Sequence, residues 1–151
     1  MMIGELCTRD VVVTGRDESV LTAARLMREH HVGDVVVVEE RGGRRVPVGI
    51  LTDRDIVLEV MALEVPPEAV TAGDTMSAEP VTMSADADLV DATALMRERG
   101  VRRLLVVDDE QALVGILTVD DVLDVVAEEM NNIARLLYRQ REHEASARRL
   151  S

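Results

Sequence analysis

The sequence predicts a mixed fold, α+β or α/β, in which one β-α-β-β-α unit occurs twice and a helix runs on beyond the second copy. The first observation behind this is a self-match. A shift of 69 residues lays Ala23-x-x-Leu26-Met27-Arg28-Glu29-x-x-Val32 on Ala92-x-x-Leu95-Met96-Arg97-Glu98-x-x-Val101, and Val37-Val38 on Val106-Val107. After a loop three residues longer in the first copy (Glu39 to Arg45, against Asp108 to Gln111), a shift of 66 lays Val48-Gly49-Ile50-Leu51-Thr52-x-x-Asp55 on Val114-Gly115-Ile116-Leu117-Thr118-x-x-Asp121. A hairpin loop is where a length change is tolerated. The second observation is composition: 47% of residues are apolar, yet Tyr138 is the only aromatic, so the core is built from Val, Leu, Ile, Met and Ala. That mix suits strands alternating with helices.

Each copy reads in the same order. A short strand (Val11 to Val13; Val81 to Met83) leads to a helix capped by Asp17 or Ser19 in the first copy and by Asp86 or Asp88 in the second. Apolar residues at helical spacing follow: Val20, Ala24 and Met27 in one copy, Leu89, Ala92 and Met96 in the other. Val35 to Val38 and Leu104 to Val107 are continuous apolar runs, the pattern of strands covered on both faces. Val46 to Leu51 and Leu113 to Leu117 form the third strand, and a second helix begins near Thr52 or Thr118. Leu63-Glu64-Val65-Pro66-Pro67-Glu68 breaks the helix between copies. The expected organisation is residues 1–63 as the first repeat, 64–70 as linker, 71–130 as the second repeat and 131–151 as a C-terminal helical extension. Each unit alone has an incomplete core, so the two are expected to pack sheet to sheet about a pseudo-twofold axis.

The formal net charge of -12 repels the phosphates of nucleic acid and anionic membrane surfaces, and no run reaches the ~18 apolar residues of a membrane span. Neither nucleic acid nor membrane is an expected partner, and a cytoplasmic location is expected. Cys7 is the single cysteine, best read as a small buried hydrophobe. No nucleophile stands beside a base in a recognisable motif and no glycine-rich phosphate loop is present, so the chain is not expected to be an enzyme. His30 and His31 sit where a helix end favours a cation, with no second ligand cluster at metal-binding spacing.

Gly49-Ile50-Leu51-Thr52-Asp53-Arg54-Asp55-Ile56 and Gly115-Ile116-Leu117-Thr118-Val119-Asp120-Asp121-Val122 resemble the signature that closes the third strand and opens the last helix of a CBS (cystathionine β-synthase) domain. Two copies, each after a Leu-Met helix and a buried strand, make the chain similar to a stand-alone CBS pair, a Bateman-type module. The resemblance implies a cleft between the repeats for an adenosine-containing regulatory ligand: AMP, ADP, ATP, NAD or S-adenosylmethionine. It requires no cofactor. Thr118 and Asp121 would serve one pocket, with Ile116 beside the adenine and Thr8 and Val12 above it. Thr52 and Asp55 would serve the other, with Ile50 beside it and Ser77, Val81 and Met83 above. A Thr at a helix N-terminus suits a phosphate, and an Asp one turn later can accept both ribose hydroxyls. Arg102-Arg103 before the second strand matches the family's basic position, with Arg103 as the inward residue. Gly33-Asp34 stands there in the first copy and departs from the pattern, so the pockets are expected to be unequal.

A rival reading makes Thr52 and Thr118 helix caps only, in a ligand-free module that docks a partner. The last helix carries Val122, Val126, Met130, Ile133 and Leu137 at spacings of three and four, a stripe that needs cover from its own domain or a second subunit. A homodimer is therefore expected, with an unidentified protein effector as a further partner.

Overall fold

The computed structural model describes residues 1–150. The chain divides into two compact units, Met1–Leu117 and the residues from Thr118 onward.

The first unit holds two sheets. In one, β1 (Val13–Gly15), β2 (Asp34–Arg41), β3 (Arg44–Thr52) and β4 (Ser77–Ala78) lie in that order; in the other, β5 (Thr82–Ser84), β6 (Arg103–Val107) and β7 (Leu113–Thr118). Strands β1 and β2 are parallel with Val13 opposite Val36, and β5 and β6 repeat this with Thr82 opposite Leu105. The first strands thus sit one or two residues later than expected, because the carbonyls of Val12 and Val81 only accept the opening bonds from Val36 and Leu105 N–H, each at 3.0 Å. Nor is Glu39 to Arg45 a loop. Strands β2 and β3 run on to Arg41 and Arg44, and only Gly42 and Gly43 turn, with φ of 59° and 79°. Two positive values suit a turn whose twist matches the strands, and glycine adopts them without strain.

Helices α2 (Val20–His30) and α5 (Leu89–Arg99) are the matched Leu-Met helices. Of the alternative caps, Ser19 and Asp88 are used: Ser19 Oγ accepts Thr22 N–H at 3.1 Å and Asp88 Oδ1 accepts Val90 N–H at 2.8 Å. The Val90 N–H, aided by the Met1 amino group 3.0 Å from Oδ2, holds the Asp88 carboxyl below the ordinary carboxylate range. Helix α2 ends at His31 in the left-handed conformation (φ 54°), where the second copy has Gly100 (φ 65°). The second helix of repeat one is a short α3 (Asp53–Ile56) followed by a π turn over Val57–Met61, which places Val60 in the core at 2% exposure.

Alternation along β2 sorts the core. Val35 and Val37 join Val20, Ala23, Met27, Leu51, Val60 and Ala72 under the helices, while Val36 and Val38 face Leu105 of the second sheet, with Val13, Ile50 and Ile116 around them. The sheets thus pack against each other as expected. Thr14 is 5% exposed and its Oγ1 has no hydrogen-bond partner among the described residues. A buried orphan hydroxyl costs stability that an isosteric methyl does not. Thr14→Val is expected to raise the unfolding free energy by about 1 kcal/mol, read as a higher urea midpoint with unchanged slope.

The leading segments are exchanged between repeats. Helix α1 (Ile3–Leu6) precedes the first repeat but docks on the second: Ile3 N–H donates to Ala87 C=O and Gly4 N–H to Ala85 C=O, both at 2.9 Å. Helix α4 (Ala72–Thr75) precedes the second repeat but docks on the first: Ala72 N–H donates to Glu18 C=O at 2.7 Å and Gly73 N–H to Arg16 C=O at 2.9 Å. Ile3 and Ala72 are both fully buried. Each repeat's helical core is closed by a turn that the other repeat leads in, the pattern a pseudo-twofold axis produces.

The second unit is α6 (Val119–Leu150), a single helix. Val126, Met130, Ile133 and Leu137 of its apolar stripe remain 45% to 65% exposed in the single chain.

Candidate ligand site

Strand β3 gives way to helix at Thr52, whose backbone is still extended (φ -105°, ψ 160°). Its Oγ1 accepts Asp55 N–H at 3.1 Å, while Asp55 Oδ2 accepts Thr52 N–H at 3.0 Å. Strand β7 ends in the same reciprocal box: Thr118 Oγ1 accepts Asp121 N–H at 3.2 Å and Asp121 Oδ2 accepts Thr118 N–H at 2.9 Å. Two otherwise unpaired N–H groups are satisfied at each helix start. Both carboxylates are half-buried and both engage Oδ2, leaving Oδ1 unbonded among the described residues.

A third box, which the sequence reading passed over, caps α4: Thr71 Oγ1 accepts Asp74 N–H at 3.1 Å and Asp74 Oδ2 accepts Thr71 N–H at 3.4 Å. It has no strand leading into it. The box by itself is therefore a helix-starting device, and what distinguishes Thr52 is its surroundings.

Those surroundings lie on the sheet face that meets the second sheet. Thr52 stands opposite Asp34 on β2, and Ile50, two residues back on the same face, stands opposite Val36 on one side and Ser77 of β4 on the other. Asp53 N–H donates to Gly33 C=O at 2.9 Å and closes the end of the site. Arg103, the first residue of β6, directs Nη1 to Asp34 Oδ2 in an ion pair with both side chains about one-third exposed. Asp34 and Arg103 are repeat equivalents, 69 residues apart, and residues beside a twofold axis meet their own equivalents. The opposite charges at equivalent positions of the two copies are the only mark of this pair in the sequence, and they do not by themselves say that the two residues meet. Arg102 is exposed.

The matching crossover in the second sheet is made by Thr8, whose N–H donates to Ile116 C=O and whose C=O accepts Ile116 N–H, both at 2.9 Å. Val12 turns into the core beneath the helices of repeat one, so within that stretch Val11 and Val13 are the residues at the sheet-to-sheet contact. Met83 lies in β5 opposite Val106 of β6, and Val81 just precedes the strand, its C=O accepting Leu105 N–H; both are half-buried.

The glycine of each signature has a spatial reason. A Cβ on Gly115 would stand 2.5 Å from Thr8 O and 2.7 Å from Cys7 Sγ; on Gly49 it would collide with Met76 Sδ and lie 2.9 Å from Ser77 O. Glycine lets the crossing segment lie directly on the strand. The twin T-x-x-D boxes, twin glycines and exchanged segments are the framework of one known domain, and a family model of the CBS domain matches residues 3–62 and 72–128. The chain belongs to the CBS domain family.

This CBS pair is 40% identical over 123 residues to an uncharacterized protein of Methanopyrus kandleri, covering 82% of the chain and 61% of that relative, so it spans less than two thirds of the relative's length. It is 34% identical over 120 residues to the CBS domain-containing protein YhcV of Bacillus subtilis, covering 80% of this chain and 81% of that one. In three dimensions it is similar to a crystal structure of hypoxic response protein I with two coordinated zinc ions, with a TM-score of 0.71 and 31% identity over 82% of this chain and 98% of that one. Among the described residues of this CBS pair, no three His, Cys, Asp or Glu side chains group as a metal site, and no helix is long and apolar enough to cross a membrane.

Proposed function

We propose that this CBS pair is a non-catalytic cytoplasmic sensor that binds an adenosine-containing ligand, AMP, ADP, ATP, NAD or S-adenosylmethionine, and passes the bound state to a protein effector. The observation that carries this reading is the recurrence of the T-x-x-D box at the end of the third strand of both repeats, with a segment led in by the other repeat pairing to that strand at Ile50 and at Ile116. One carboxylate oxygen of Asp55 is left for ribose hydroxyls and Ile50 offers apolar surface for the base; Asp121 likewise keeps one oxygen unbonded among the described residues. Homodimerisation is part of the same proposal. Val57, Leu58 and Met61 on the π turn are 49% to 72% exposed, as is much of the α6 stripe, and apolar surface of this kind favours a partner.

A second reading, a ligand-free module docking a partner through α6, is favoured by that helix's exposed stripe alone. The third box separates the two. In a thermal-shift series with these five ligands, Asp55→Ala, Asp121→Ala and Asp74→Ala are each expected to cost about 1 kcal/mol as lost caps. The ligand-induced rise in Tm is expected to survive Asp74→Ala and to fall in Asp55→Ala or Asp121→Ala. No rise with any ligand in the unaltered protein supports the docking module.

A further inference from the structure

The sensor reading leaves open which adenosine ligands the cleft prefers, and the Asp34–Arg103 pair bears on that choice. We propose that Asp34 sets selectivity at the Thr52–Asp55 site: by holding Arg103, it makes the site favour an adenosine ligand without a phosphate over one that carries a phosphate. The inference rests on the sensor reading and narrows it.

Asp34 lies opposite Thr52 in the ladder, on the face where Ile50 meets the second sheet, so its carboxylate borders the site itself. Arg103 reaches this border from the other sheet and is committed to Asp34. A phosphate arriving here has two options. It can take Arg103, which leaves the Asp34 carboxylate partly buried, unpaired and beside a second anion, or it can bind without the guanidinium in a chain whose net charge is -12. Both weaken binding. A neutral or cationic nucleoside disturbs neither group: the pair stays closed and the ribose hydroxyls still reach Asp55. Arg103 is itself the residue equivalent to Asp34 in the second copy, so the pair leaves neither copy a free guanidinium at this position.

Titration calorimetry of the full chain with adenosine and with AMP, at low and physiological salt, tests this. The unaltered protein is expected to bind adenosine at least as tightly as AMP. Asp34→Asn, whose amide oxygen still accepts a bond from Arg103, is expected to strengthen AMP binding about fivefold, more at low salt, and to leave adenosine nearly unchanged. Tighter AMP than adenosine binding by the unaltered protein overturns the proposal without recourse to the variant. So does an Asp34→Asn change that is equal for both ligands, or absent; each of these outcomes leaves the sensor reading standing. No binding of either ligand by either protein overturns this proposal, and the sensor reading falls with it only if the thermal-shift series with AMP, ADP, ATP, NAD and S-adenosylmethionine is flat as well.

Discussion

A chain lacking residues 1–8 is expected to lose cooperative folding of its second repeat, although that repeat's own residues are all present. The deletion removes Ile3, fully buried, and a buried isoleucine is worth roughly 2–5 kcal/mol. It also strips the bonds to Ala85, Ala87 and Leu89 at the start of α5, and the two bonds between Thr8 and Ile116 on β7. Against a domain stability of about 5–15 kcal/mol, these losses are a large fraction of the whole. Urea unfolding followed by circular dichroism is expected to show a lower midpoint with a broadened or split transition, and Ile3→Ala alone is expected to cost about 3 kcal/mol. A single transition at the original midpoint would refute the exchange of leading segments. The same exchange predicts that residues 1–63 alone remain unfolded, since buried Ala72, the N–H donors of Ala72 and Gly73, and the Val70 C=O that accepts Val20 N–H all lie beyond residue 63.

Gly115→Ala is expected to cost about 3 kcal/mol, at the upper end of overpacking, because the new Cβ meets backbone that has no room to move rather than the tip of a flexible side chain. The Thr8 oxygen that would be struck, 2.5 Å away, is also the one accepting Ile116 N–H, so relieving the clash breaks the crossover. Gly15→Ala serves as control: its Cβ would find only Glu18 Cγ at an ordinary 3.5 Å, and little change in Tm is expected. In the chain lacking residues 1–8 the strike point is gone, so Gly115→Ala should add almost nothing there. Full additivity of the two changes would place the Gly115 penalty elsewhere.

Much of this protein can be read from local patterns in the chain. The repeat, the Leu-Met helices, the third strands ending in Thr-x-x-Asp and the family follow from local patterns, because helix caps, alternation and apolar periodicity act within a few residues of one another. Strand limits shifted by a residue or two where hydrogen bonds of the ladder, rather than side-chain pattern, define the edge. Three features were decided by tertiary structure alone. The turns at Ile3 and Ala72 serve the opposite repeat because a short amphipathic turn carries no mark of the surface it will cover. The π turn over Val57–Met61 arises from the need to bury Val60 beneath the sheet, a demand that exists only once the core is assembled. Asp34 reads in the chain as a charge that repels phosphate, and it becomes half of an ion pair only when the pseudo-twofold axis brings its equivalent, Arg103, 69 residues away in sequence, to the same point in space.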